Sequence, residues 1–175
     1  MSAKNIILIG FMGVGKGSLA RALAKQSGLF AIDCDDMIES YANKKIKQIF
    51  ADSGEAEFRK IEKKLAKFLE KNVHNAIIST GGGFYAVKNL NKIGTVIYLK
   101  SSFDSIIKRI NESENAHKKI AKRPLLNDLG KAKALHDERD KKYSAKADYI
   151  VNVEKISQKE AVKKLLKIIK KEVKK

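Results

Sequence analysis

Asn5-Ile6-Ile7-Leu8-Ile9 runs straight into Gly10-Phe11-Met12-Gly13-Val14-Gly15-Lys16, and this join decides the fold. A short, unbroken apolar run predicts a strand buried on both faces, the kind found in parallel sheets. The glycine-rich turn after it fits G-x-x-x-x-G-K. From Ser18 to Ser27 (SLARALAKQS) the spacing turns helical, with Leu19, Ala22 and Leu23 on one face and Gly28 as the C-terminal cap. Strand, glycine loop and helix in this order place backbone N–H groups and a helix N-terminus around phosphate oxygens. Lys16 adds a point charge for the β- and γ-phosphates. A dinucleotide site would need G-x-G-x-x-G, which glycines at 10, 13, 15 and 17 do not provide.

Working outward, apolar runs recur at Phe30–Asp33, Ala76–Ser79, Thr95–Leu99 and Tyr149–Val153. Helical patterns lie between them: a charged stretch from Asp36 to Asn72 broken at Gly54, then Ser102–Asn111, Lys131–Lys142 and a last helix from Ser157. The alternation predicts an α/β chain of three layers, a parallel sheet with helices on both faces. The 175 residues suit a single domain, 1–175. Asn111–Lys122 is the most polar segment and is expected to be a mobile loop of the kind that forms lids.

Composition narrows the function classes. One cysteine, Cys34, excludes a disulfide framework, and no apolar run is long enough to span a bilayer. The N-terminus lacks a signal-peptide cleavage pattern, so a cytoplasmic protein without membrane partners is expected. The net charge of +17 raises nucleic-acid binding, but most of the basic residues are lysines scattered along helices. No base-stacking motif accompanies them, and no nucleic-acid partner is expected. Only five basic residues are arginine: Arg21, Arg59, Arg109, Arg123 and Arg139. A chain that uses lysine for plain charge keeps arginine where a planar fork has work to do on carboxylate or phosphate.

Several constellations carry chemistry. The position after Lys16, where the motif wants Ser or Thr for Mg²⁺, is Gly17, followed by Ser18. Either a water takes the vacant place or Ser18 turns inward, and weaker Mg²⁺ binding is expected. Asp33-Cys34-Asp35 ends the second apolar run. Strand alternation would put both carboxylates in one crevice, one for the magnesium water shell and one to orient a hydroxyl nucleophile. Phe58-Arg59-x-x-Glu62 puts a cation and an acid on one helix face. Gly81-Gly82-Gly83, directly after a buried strand, implies close approach of a ligand. Arg123 follows the polar loop, and Arg139 stands one turn before Tyr143.

The series GFMGVGKGS, DCD, EFRKIE, STGGG, KRPLL and ERDKKY, from Ile6 to about Val151, resembles the shikimate kinase family. The resemblance implies a P-loop kinase fold with five parallel strands in the order 2-3-1-4-5, a substrate-binding helical region at about 34–62 and a lid at about 111–128. It implies transfer of the ATP γ-phosphoryl group to the 3-hydroxyl of shikimate, with Mg²⁺, by a monomer. By position, Gly13, Val14, Gly15, Lys16, Gly17, Ser18, Arg109 and Arg123 resemble the nucleotide contacts. Asp33 and Ser18 resemble the metal-side residues. Asp35, Phe58, Arg59, Glu62, Gly81, Gly82, Gly83 and Arg139 resemble the shikimate pocket, with Phe50 in its lining. The same resemblance implies catalytic roles for Lys16, Asp35 and Arg123. Another kinase of the same fold, gluconate- or adenylate-kinase-like, is the alternative. It is disfavoured by the Arg59/Arg139 pair and the triple glycine.

Overall fold

The computed structural model describes residues 4–114 and 124–173. Its sheet has strands β1 (Asn5–Ile9), β2 (Phe30–Asp33), β3 (Ala76–Ser79), β4 (Gly94–Lys100) and β5 (Tyr149–Asn152), all parallel, in the order β2-β3-β1-β4-β5. β1 and β3 are buried throughout, as runs with no polar face require. The edge strands are less covered, and Phe30 at the start of β2 is 86% exposed. The helices are α1 (Lys16–Ser27), α2 (Cys34–Ala42), α3 (Ile46–Asn72), α4 (Leu90–Ile93), α5 (Phe103–Asn111), α6 (Leu129–Lys146) and α7 (Gln158–Val173). None among the described residues is long and apolar enough to cross a membrane.

β1 leads through α1 to β2 on one side of it, whereas its neighbour β4 leads on to β5 on the other, so the connections leaving these two adjacent strands diverge. A crevice opens at the carboxyl ends of the central strands, where such sheets bind ligands. The glycine loop after β1 and the triple glycine after β3 both open onto this end.

The expected break at Gly54 is present as a non-helical step (φ 75°, ψ 176°) inside α3. The start of α2 differs from expectation. Strand β2 stops at Asp33, and the helix begins at Cys34 rather than Asp36. The Asp33 carboxylate caps it, accepting from Asp35 N at 3.0 Å and from Asp36 N at 3.5 Å. Strand alternation therefore does not bring Asp33 and Asp35 together; a capped first helical turn does.

One buried amide ties the floor of the sheet. Asn5 Nδ2 donates to Val73 O at 2.6 Å and Ile93 O at 2.9 Å, and its Oδ1 accepts from Ala76 N at 3.0 Å. Asn5 is 1% exposed, so no water replaces these bonds if it is removed. Asn5→Ala is expected to cost about 3 kcal/mol, the scale for orphaning buried backbone groups. Urea unfolding measures it, and a loss near zero would contradict the bonding.

Candidate active site

The loop between β1 and α1 is built on left-handed glycines. Gly15 has φ 101° and is the N-cap of α1, and no side chain among the described residues caps the helix there. The first amides of α1 are thus not satisfied by a capping side chain, which suits an anionic ligand. Lys16 is 9% exposed, and its ammonium donates to Gly10 O at 2.6 Å and Phe11 O at 3.0 Å. Arg109 braces the loop from the other side: Nη1 donates to Val14 O at 3.0 Å and Nη2 to Val153 O at 3.2 Å. It therefore links the loop to the chain leaving β5.

The two aspartates serve different parts of the cleft. Asp33 uses Oδ1 for the cap, while its Oδ2 lies 3.4 Å from where a Gly17 Cβ would stand. Asp35 Oδ1 lies 2.8 Å from the corresponding point at Gly81. Burial, reinforced by Asp33 and opposed by Lys16, pushes the Asp35 carboxyl up to about 6. Cys34 between them is fully buried in the core, and burial raises its thiol well above the ordinary value. Its place is structural.

Each glycine of the triple faces a different charged side chain, and a Cβ would crowd Asp35 at Gly81 and Arg59 at Gly83, whereas at Gly82 it would meet Arg139 Nη1 at an ordinary 3.4 Å. Gly81 meets Asp35, with Glu62 Oε1 at 3.6 Å from the Cβ position. Gly82 meets Arg139, with the backbone N of Met12, in the phosphate loop, at 3.9 Å. At Gly83 a Cβ would overlap the Arg59 guanidinium. Hydrogen bonds fix the arrangement: Arg139 Nη1 and the Tyr143 hydroxyl donate to Gly82 O at 3.3 and 2.6 Å. Arg59 Nη1 donates to Glu62 Oε2 at 2.6 Å. Glu62 is 2% exposed; burial raises its carboxyl, with Arg59 opposing. Arg59 also pairs with Glu55 at 2.8 Å and lies against the Phe58 ring, 5.2 Å from its centroid. Phe58 in turn packs on Phe50, with ring centroids 4.9 Å apart.

Gly83→Ala therefore is expected to displace Arg59 while leaving β3 in place. The expected outcome is a rise of about tenfold or more in the KM for an acidic acceptor, since a 1.4 kcal/mol loss already gives that factor. An unchanged KM would contradict the contact.

Asp35, Glu62, Arg59 and Arg139 thus converge on one glycine turn, and Gly82 adjoins the phosphate loop. Phe58 is buried beside Arg59. Ser18 is not brought to Asp33: it is exposed, and its carbonyl accepts from Gln158 Nε2 at 3.2 Å. Gly17 occupies the facing position instead. Arg123 lies outside the described residues, as does 115–123 of the expected lid. Sequence reading missed two participants. Glu55 is signalled only by its i,i+4 spacing to Arg59. Ser79 becomes visible only once the register pairs it with Asp33.

Among the described residues there is no cluster of three or more His, Cys, Asp or Glu side chains suited to a metal. The free oxygen of Asp33, beside a phosphate loop, fits a hard cation that draws most of its ligands from water and phosphate, as Mg²⁺ does.

The family model described as shikimate kinase matches residues 12–170. The shikimate kinase of Helicobacter hepaticus is 41% identical over 170 residues, covering 97% of this chain and 98% of that protein. That of Thermodesulfovibrio yellowstonii is 34% identical over 171 residues, covering 94% of each. Among solved structures, shikimate kinase from Acinetobacter baumannii in complex with shikimate superposes with a TM-score of 0.82 at 28% identity, over 95% of this chain and 93% of that one. The Bacteroides thetaiotaomicron enzyme gives 0.81 at 25% identity, over 97% and 99%. With the five-stranded order and the glycine-turn site in place, these matches establish that the chain belongs to the shikimate kinase family, ATP-dependent phosphotransferases with an alcohol group as acceptor.

Proposed function

We propose that the protein transfers the γ-phosphoryl group of ATP to the 3-hydroxyl of shikimate, giving shikimate 3-phosphate and ADP for aromatic amino-acid biosynthesis. The observation that carries this reading is the triple glycine, each member set against a different charged side chain, with Gly82 next to the phosphate loop. Such a turn suits an acceptor that is small, anionic and hydroxylated. Residues 1–175 act as one catalytic unit, monomeric and cytoplasmic.

Arg59 and Arg139 take the acceptor carboxylate through forked hydrogen bonds. Glu62 holds the Arg59 guanidinium in place, and Phe58 backs it. Tyr143 and Arg139 pin the Gly82 carbonyl, so the turn is set before substrate arrives. Lys16 and the amides at the start of α1 hold the phosphate tail, with Gly13, Val14, Gly15, Gly17 and Ser18 shaping the loop and Arg109 bracing it. Arg123 is assigned the lid-side phosphate contact by the family resemblance alone.

Asp35 orients the 3-hydroxyl and accepts its proton as the oxygen attacks phosphorus. The new O–P bond forms as the bond to the β-phosphate oxygen breaks, and that oxygen leaves with the electron pair as ADP. A carboxyl near 6 is mostly ionised at neutral pH yet basic enough to take the proton. When bound beside Asp33, Mg²⁺ neutralises charge on the phosphates.

Coupled ADP release with ATP and Mg²⁺ tests the reading. Turnover with shikimate, and none above background without it or with gluconate, is expected. Equal turnover with gluconate would contradict it.

A further inference from the structure

We propose that the Ser79 hydroxyl, at the end of β3, supplies the metal-side oxygen that Gly17 lacks, so that Mg²⁺ in this chain is held between Ser79 and Asp33. The inference rests on the reading of the glycine loop as an ATP site.

Two independent observations meet at one point. First, the motif's hydroxyl residue is Gly17, so the loop itself brings no side-chain oxygen there. A Cβ at Gly17 would stand 3.4 Å from Asp33 Oδ2 and 3.7 Å from Ser79 Oγ. These two oxygens border the space into which the motif's side chain would project. They do so because Asp33 and Ser79 are register partners on adjacent parallel strands, and such partners face the same side of the sheet.

Second, Ser79 is 3% exposed, and its hydroxyl has no hydrogen bond among the described residues. A nearly buried serine with an unpaired oxygen facing a cleft calls for a ligand. A neutral hydroxyl, one carboxylate, phosphate oxygens and waters make the hard-donor set Mg²⁺ prefers. Arg21 Nη1 also comes within 3.4 Å of the Gly17 point, but Arg21 is exposed and its long stem can swing into solvent.

The loss of metal affinity that Gly17 alone implies is thus offset from the neighbouring strand. Because the hydroxyl pairs with nothing among the described residues, Ser79→Ala is expected to leave the melting temperature unchanged or raised. The same change is expected to weaken Mg²⁺ binding.

The test measures ADP affinity by calorimetry with EDTA and with Mg²⁺ in the unmodified protein, Ser79→Ala, Gly17→Ser and the double variant. Ser79→Ala is expected to keep metal-free ADP affinity and to lose about tenfold or more of the enhancement by Mg²⁺. Gly17→Ser is expected to make Ser79 dispensable, so the double variant recovers the enhancement. Ser79→Cys with ADP and Cd²⁺ is expected to show a thiolate-to-cadmium absorption band absent from the unmodified protein, since a thiolate prefers the softer ion. An Mg²⁺ enhancement unchanged in Ser79→Ala, or a missing cadmium band, would overturn the inference while leaving the kinase reading intact. Absence of ADP binding by the unmodified protein in both conditions would overturn the kinase reading, and this inference with it.

Discussion

Asp35→Asn is expected to lower kcat by about 10²–10⁴-fold, the range for losing a positioned general base. The amide keeps the shape of the carboxyl and can still touch the acceptor hydroxyl, but it cannot take the proton. Asp35 Oδ1 lies against Gly81, whereas it is Asp33 Oδ2 that borders Gly17 of the phosphate loop, so nucleotide affinity is expected to stay near that of the unmodified protein. The variant also removes a buried carboxylate that burial and Asp33 both disfavour. Its folding stability is therefore expected to hold or rise, which separates loss of chemistry from loss of structure. Single-turnover quench with ATP and shikimate, beside ADP calorimetry, measures both. Near-normal turnover would remove Asp35 from the mechanism.

Arg139→Ala is expected to cost about 3 kcal/mol of transition-state binding, roughly a 150-fold drop in kcat/KM for shikimate, the scale for truncating one partner of a desolvated charge pair. The KM for ATP is expected to change little. The turn itself survives because the Tyr143 hydroxyl still donates to Gly82 O at 2.6 Å. Arg139→Lys restores charge but not the planar fork, and only partial recovery is expected. A drop confined to ATP kinetics would place Arg139 on the nucleotide side instead.

The strands were legible because each is a short apolar run bounded by turn residues: the sequence readings of Asn5–Ile9, Phe30–Asp33 and Ala76–Ser79 coincide with β1, β2 and β3. Single-turn elements were not. The 3₁₀ turns at Phe84–Ala86 and Pro124–Asn127 and the four-residue α4 are too short to carry a period, and tertiary packing forms them. The helical pattern after the polar loop covers Lys131–Lys142, and the helix itself spans Leu129–Lys146, with the Asp128 side chain accepting from Lys131 N at its start. Its end shows no comparable polar signal.

The site divides in the same way. Lys16, the aspartate pair and the triple glycine were legible because phosphate and close ligand approach demand those residue types at those spacings. Arginine scarcity pointed to Arg59 and Arg139, which the fold brings to Gly83 and Gly82. The placement of Asp35 in a helix rather than on a strand was not legible, because it depends on which carboxylate captures the free amides of α2. Nor was Ser79, whose meaning depends on lateral register, a property of the sheet and not of the local sequence.

The guanidinium pair at the glycine turn is the centre of the functional reading, and the acceptor can be altered instead of the protein. Steady-state kinetics with shikimate and with its methyl ester, which keeps every hydroxyl and removes the negative charge, is the most direct measurement. A kcat/KM for the ester at least about 100-fold lower, with the KM for ATP unaltered, is expected from the loss of a charged, forked contact. Equal use of the two acceptors would mean that Arg59 and Arg139 do not hold the carboxylate.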